Sequence, residues 1–414
     1  MNKKISLGAA IAFMLVVATL TLALTMVYSM NRFTTMVNDV QQQRKNYQKI
    51  SVIDQTVRDR YPDAIDDGKL MDSVAAGYMA GLDDPGRYYT ASEYQRFLTT
   101  EEGRYYGIGI VPAKEPSGYI QIQEVYPDSP AQTAQLSVGD VIVKVDELDV
   151  TAETYDQAVA LLQGDAGTML ALTVRRGTED LEMEITRRQV DIPTVYYQVF
   201  DQTGYMRIKR FTTATRDQFN KYLNQAIGAG VQSLIIDLRD NTGGRYSAMA
   251  PALELLVPRG DLLMARYKDG KDTVLYTSGT SGVELPVVVL TNEQTTGTAE
   301  LFAQVLKDTG VGKTVGVQTM GDGKLQEFFK LSDGSALLLT VARYVTPAGT
   351  VIDGEGVKPD YEVKLEGETV NWDNLTADTD SQLSKALELA AANVKVDAAN
   401  TSTSESSSES SQGE

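Results

Sequence analysis

The chain has 414 residues, 56 of them acidic and 38 basic, a formal net charge of -18, and neither histidine nor cysteine. That composition excludes a Ser-His-Asp triad, a Cys-His pair, a histidine-based metal site and a disulfide framework. The acidity argues against nucleic acid as the main partner, and the length allows two or three domains with proper cores.

Lys3 and Lys4 precede Ile5 to Met30, a run without a charged residue. About 20 helical residues cross the roughly 30 Å hydrocarbon layer. The run is long enough, no small-x-small cleavage site precedes Asn31, and the apolar stretch is longer than a usual signal core. We therefore expect an uncleaved single-pass anchor in a bacterial cell membrane rather than a removed signal sequence. The basic end would stay cytoplasmic and the soluble domains would lie outside. Tyr47, Ile50, Ile53, Val57 and Tyr61 then recur at helical spacing, and a second helix is expected over Asp67 to Gly81, ended by "GLDDPGRYY".

From Gly103 to Arg188 the pattern changes to short strands. "YYGIGIVP" is a Gly-rich turn leading into one. "YIQIQEVYPDSPAQTAQLSVGDVIVKVDELDV" alternates apolar and polar residues, with turns at "PDSP" and "SVGD". "TYDQAVALLQG" is a short helix ended by Gly164, and "TMLALTVRR" and "LEMEITRR" are further strands. This stretch resembles a PDZ domain. The resemblance implies that an extended peptide adds beside a strand, its terminal carboxylate held by the backbone N–H groups of Gly107, Ile108, Gly109 and Ile110.

Beyond Val190 strands alternate with helices: "GYMRIKRF", "TRDQFNKYLNQAIGAG", "VQSLIIDLRDNTGG", "APALELLV", "LPVVVLTNEQ", "AELFAQVLKDTG". That alternation implies an α/β layer architecture. "GSALLLTVARYVTPAGTVIDGEGVKPDYEV" reads as a strand and a long ordered loop, and "DSQLSKALELAAA" as a closing helix. The last stretch, "NTSTSESSSESSQGE", has no apolar residue to bury and is expected to be disordered.

Together these segments resemble the carboxyl-terminal processing peptidase family, also called tail-specific proteases. The stretches that carry it are "LDDPGRYY", the PDZ region, "LIIDLRDNTGG", "LTNEQTTGTAELFAQVLKD", "GDGKLQEFF" and "LTVARYVTPAGTVIDGEGVKPD". The resemblance implies a core similar to the crotonase and Clp protease folds. It also implies a serine nucleophile with a lysine general base, acting near the C-termini of exported or membrane proteins. The expected organisation is an anchor or signal sequence at 1–30, a helical segment at 31–95, a PDZ domain at 96–190, a peptidase-like α/β core at 191–393 and a Ser/Glu tail at 394–414. No cofactor and no metal are called for.

A serine hydroxyl needs a base within hydrogen-bond reach, a lysine serves only when neutral, and the oxyanion needs backbone N–H donors. The family's nucleophile motif runs Asn, two residues, then Ser-Ala-Ser-Ala-Ser-Glu. Here Asn292 and Glu300 match its ends, so the nucleophile position holds Gly297. The lysine motif, Thr-Phe-Gly-Lys-Gly-x-x-Gln, aligns without a gap to "TMGDGKLQ", so the base position holds Asp322, while Gln326 is retained. The resemblance assigns the oxyanion donors to Gly243, Gly244 and the amide of Thr298. Thr296 or Thr298 with Lys324 could replace the pair, but two residues along a strand displace an amine by about 6.6 Å. A metal site from Asp237, Asp240 and Asp322 has no defined spacing to support it. The expectation is a pseudopeptidase that binds C-terminal segments or pairs with an active relative or a second copy. The alternative is an active endopeptidase using a relocated threonine.

Overall fold

The computed structural model describes residues 7–365, 367, 370, 372 and 375–392. The expected Ser/Glu tail lies outside the described residues. Met1–Ala75 and Ala76–Glu414 form two units and are taken in turn.

In the first unit one helix runs unbroken over Leu7–Arg60. Thr21 and Thr25 return their hydroxyls to the carbonyls of Val17 and Thr21, at 2.8 and 2.7 Å, which satisfies polar groups within an apolar stretch. At its far end Arg58 pairs with Asp54 at 3.0 Å and Asp67 at 2.6 Å. The helical stripe read from Tyr47 to Tyr61 falls on this helix up to Arg60. The helix that holds the apolar run continues past it through residues 31–60. Among the described residues no helix is long and apolar enough to cross a membrane.

The second unit begins within the helix Asp67–Ala80. The helix Ala91–Glu102 follows; Thr90 accepts the Glu93 amide and Glu93 returns a carboxylate to the Thr90 amide, a reciprocal cap. The boundary expected between residues 95 and 96 falls inside this helix.

The PDZ region is an antiparallel sheet in the order Ile110–Lys114, Ile120–Val125, Val141–Val145, Met169–Arg176, Glu179–Thr186. Alternation explains it: Leu170, Leu172 and Val174 point inward to meet Ile120, Ile122 and Ile142 in one buried cluster. Ile110–Lys114 is an edge strand. Asp140 is buried and receives both Nε and Nη2 of Arg176, at 2.8 and 2.6 Å, and the Ser137 amide at 2.9 Å. Arg176 holds its carboxyl below the ordinary value against the opposing effect of burial. A depressed carboxyl stabilises above its unfolded pKa and stops doing so as pH falls through the folded one. Asp140→Asn should cost about 1–3 kcal/mol at pH 7. That deficit should shrink below about pH 4, as read by urea unfolding at stepped pH.

The peptidase-like core is a six-stranded sheet in the order Val195–Phe200, Thr203–Ile208, Ser233–Asp237, Val287–Thr291, Gly312–Gly316, Tyr361–Glu362. All pairs after the first are parallel. Ser233–Asp237 and Val287–Thr291 are buried on both faces, which is why they read as continuous apolar runs. Leu234 and Ile236 face a cluster with Phe219, Leu223, Phe302 and Leu306. Ile235 and Leu290 face Leu383, Ala386 and Ala390 of the closing helix, residues 381–392. A second, antiparallel sheet joins Arg87–Tyr89, Ala336–Val345, Gly260–Tyr267 and Asp272–Ser278, with Lys324–Lys330 beside Ala336–Val345. The hairpin over residues 260–278 was not expected from the sequence.

Candidate functional site

The buried strand Val287–Thr291 delivers the chain to a loop, and the helix Thr298–Asp308 leaves it. Gly297 stands between them with φ 63° and ψ -124°. A strand-to-helix turn of this kind exposes the nucleophile in α/β-hydrolases. No atom lies within 4 Å of where a Cβ at Gly297 would stand, so the turn points at open space.

Glu300, fully buried, fastens this turn to the loop opposite. Its Oε2 accepts the amides of Gly297 at 2.9 Å and Asp322 at 2.8 Å. Its Oε1 accepts the Gly321 amide at 2.6 Å and the Thr319 hydroxyl. The two aligned positions, 297 and 322, are thus bonded to the same carboxylate. Sequence reasoning used Glu300 only as the matching end of the nucleophile motif. A glutamate three residues beyond a helix start was the available signal.

Asp322, Lys324, Gln326, Arg245, Tyr246 and Thr298 share a cleft of about 450 Å³ with Gly297. Asp322 Oδ1 is buried without a hydrogen-bond partner, 3.6 Å from Lys324 Nζ. Lys324 Nζ also lies 3.4 Å from Asp353, which Arg343 engages from its other side. The Nε2 of Gln326 and the Oγ1 of Thr296 are likewise buried without partners. Burial, with Tyr246 and Asp322 nearby, pushes the Tyr344 phenol well above its ordinary value, so it serves as a donor and not as a base.

Gly243, Gly244 and Thr298 come together beside Gly297, but not as three equal donors. The Gly243 amide is committed to Asn241 Oδ1 at 2.8 Å. Buried Asn241 also gives Nδ2 to the Ile208 carbonyl and takes the Thr296 amide on its own carbonyl. The amides of Gly244 and Thr298 have no protein partner among the described residues. At Gly244 a Cβ would stand 2.1 Å from the Phe211 carbonyl oxygen, so the residue must be glycine.

The substitute pair is not assembled. Thr298 is buried, and its hydroxyl donates to the Gly244 carbonyl at 3.2 Å. Lys324 is held between two carboxylates, and no hydrogen bond joins it to Thr298 or Thr296 among the described residues. The three carboxylates weighed as metal ligands go to separate partners. Asp237 pairs with Arg239, Asp240 with Asn292, and Asp322 with Lys324. Among the described residues no acidic group of three or more is placed to hold a metal ion.

In the PDZ region the Gly107–Ile110 turn opens onto the edge strand Ile110–Lys114. The carbonyls of Ile108 and Gly109 accept the amides of Ala131 and Tyr126, at 2.8 and 2.9 Å. The turn is therefore held from behind.

A mostly parallel core sheet, a strand-to-helix turn facing a glycine-rich loop, and a PDZ sheet define a peptidase-type fold carrying a PDZ domain. A model of peptidase family S41 matches residues 202–363, and a PDZ domain model matches residues 121–176. The carboxy-terminal processing protease CtpA of Bacillus subtilis is 30% identical over 323 residues, covering 77% of this chain and 69% of that one. A carboxy-terminal-processing protease of Bartonella bacilliformis is 29% identical over 335 residues, covering 79% and 77%. A probable CtpA-like serine protease of Staphylococcus epidermidis is 28% identical over 326 residues, and this chain spans 66% of its length. Among solved structures, the photosystem II D1 C-terminal processing protease is 28% identical, covers 78% of this chain and 86% of its own, and has a TM-score of 0.46. The chain belongs to the carboxyl-terminal processing peptidases of family S41.

Proposed function

We propose that this protein is a pseudopeptidase that uses its PDZ groove to capture C-terminal segments of exported or membrane proteins, either directly or as the regulator of an active relative. The observation that carries the reading is the pair at the reacting positions: Gly297 has no side chain and Asp322 cannot act as an amine base. The cradle around them persists, with free amides at Gly244 and Thr298. A cradle alone leaves only weak residual catalysis. Placement of the soluble domains outside the cytoplasm, tethered by a membrane helix, is part of the same proposal. It is supported by the uncharged run from Ile5 to Met30 behind Lys3 and Lys4.

The test is cleavage of an unfolded protein by the full chain held in a non-ionic detergent. Wild type, Thr298→Ala and Lys324→Ala should be inactive. The double variant Gly297→Ser with Asp322→Lys should gain at least about a hundredfold over wild type. Cleavage by wild type that disappears in either alanine variant would establish the relocated threonine instead.

A further inference from the structure

A second cleft lies outside the peptidase-like site. The first two strands of the core sheet, Val195–Phe200 and Thr203–Ile208, set Tyr196 opposite Arg207 and Gln198 opposite Tyr205. Met206 and Ile208 turn into the main core cluster. Alternation therefore puts Tyr205 and Arg207, with their cross-strand partners, on the other face. There Tyr196, Gln198 and Arg207 line a cleft of about 520 Å³ with Lys209, Trp372 and Glu124. Glu124 belongs to the PDZ strand Ile120–Val125, where it pairs with Val111 of the edge strand Ile110–Lys114. The cleft thus lies between the core sheet and the PDZ sheet.

Its charge is unbalanced. The Arg207 guanidinium sits over the Trp372 ring, with Cζ 3.1 Å from the ring centre. That contact occupies its face and leaves its N–H edge unspent. Among the described residues the Arg207 side chain has no ion pair and no hydrogen bond, and its Nε is buried without a partner. Burial pulls Arg207 below its ordinary value, although Asp237 and Asp240 oppose this, so its surroundings do not fully replace lost hydration. Lys209, exposed to solvent, holds Nζ 5.2 Å over the Tyr196 ring and adds a second cation. The carboxylate in the cleft, Glu124, accepts the Tyr196 hydroxyl at 3.0 Å and not Arg207.

We propose that this cleft is a carboxylate-binding site, in which the N–H edge of Arg207 holds the anion and Lys209 attracts it. A guanidinium offers a planar fork that matches a carboxylate bidentately, and such charged bonds are about twice as strong as neutral ones. The ligand is an acidic side chain of a peptide lying between the two sheets, or a free dicarboxylic acid of the same chemistry. The inference uses neither Gly297 nor Asp322 and needs no free C-terminus, so it stands or falls apart from the proposed function.

Trp372 is the only tryptophan in the chain, so its fluorescence reports on this cleft alone. The test titrates the full chain in non-ionic detergent with a ten-residue peptide blocked at both ends and carrying one central glutamate. Its glutamine twin and glutarate are the other probes. The glutamate peptide should change Trp372 emission saturably, and the glutamine twin should bind at least about tenfold more weakly. Arg207→Gln should lose about tenfold or more. Arg207→Lys, which keeps the charge without the fork and guards against a folding defect, should lose about three- to tenfold. Lys209→Gln should lose about threefold, and Lys313→Gln, at an exposed lysine of the core sheet, should match wild type. Glutarate binding as tightly as the glutamate peptide would identify the free acid as the source and support the site. Equal binding of the glutamate and glutamine peptides would overturn it. So would affinity unchanged in both Arg207 variants, or no saturable change with either the glutamate peptide or glutarate.

Discussion

Glu300→Ala should destabilise the core unit by about 3–5 kcal/mol in urea unfolding. The side chain is fully buried and accepts from the amides of Gly297, Gly321 and Asp322 and from the Thr319 hydroxyl. Alanine leaves all four donors without an acceptor and opens a cavity in their midst. A buried donor stripped of its partner costs about 1–3 kcal/mol, and the half-buried Gly297 and Asp322 recover part of that from water in the cleft. Glu300→Gln keeps one acceptor oxygen but turns an NH2 toward other N–H groups, so it should lose about 2–3 kcal/mol. The same substitution carries a functional expectation. Placed on the Gly297→Ser, Asp322→Lys background, Glu300→Gln should abolish any cleavage gained there, because the carboxylate holds the two positions against each other.

Arg239→Met should be comparably severe, at about 3–5 kcal/mol. The guanidinium has no exposed surface; it contacts Asp237 through Nε and Nη2, at 3.0 and 2.5 Å, and Asp380 through Nη1 at 2.8 Å. Gln382 accepts from Nη1 at 3.1 Å. Asp237 also receives the Tyr205 hydroxyl at 2.7 Å, and burial followed by that carboxylate drives the phenol above its ordinary value. Removing the cation leaves two buried carboxylates without it, and the damage is theirs rather than a measure of what the pair contributes. Adding Asp237→Asn and Asp380→Asn should therefore restore most of the loss in thermal unfolding. Asp380 and Gln382 belong to the closing segment, so limited proteolysis of Arg239→Met should cut first near residues 381–392. Cleavage confined elsewhere would show that the network does not hold this segment to the sheet.

How far the sequence reached depended on how local the information was. The PDZ sheet was legible because Met169–Arg176 alternates strictly, and the core because Ser233–Asp237 and Val287–Thr291 are unbroken apolar runs between helices. The antiparallel sheet of Gly260–Tyr267, Asp272–Ser278 and Ala336–Val345 was only partly read, since its pairing joins residues far apart in the chain. Asp269 and Gly270 between two strand-like runs were an unused hairpin signal. Within the site, the two residues picked by motif register, Gly297 and Asp322, line one cleft. It could not show that Asn241 claims the Gly243 amide, or that Thr298 turns its hydroxyl to the Gly244 carbonyl. Those are directions of individual side chains, which motif spacing does not encode. The apolar N-terminal run was legible as helix, but periodicity could not show that the helix continues past Met30 to Arg60.

The dihedral pair at position 297 makes substitution there lopsided. With φ at 63° and ψ at -124°, any residue bearing a Cβ holds the backbone in a region disfavoured by about 1–3 kcal/mol, although nothing crowds the side chain itself. Glycine relaxes that tension at no steric cost. A change from serine to glycine at such a corner is downhill for the fold and a change back is uphill. On the pseudopeptidase reading, stability alone would act as a ratchet against a serine at this position.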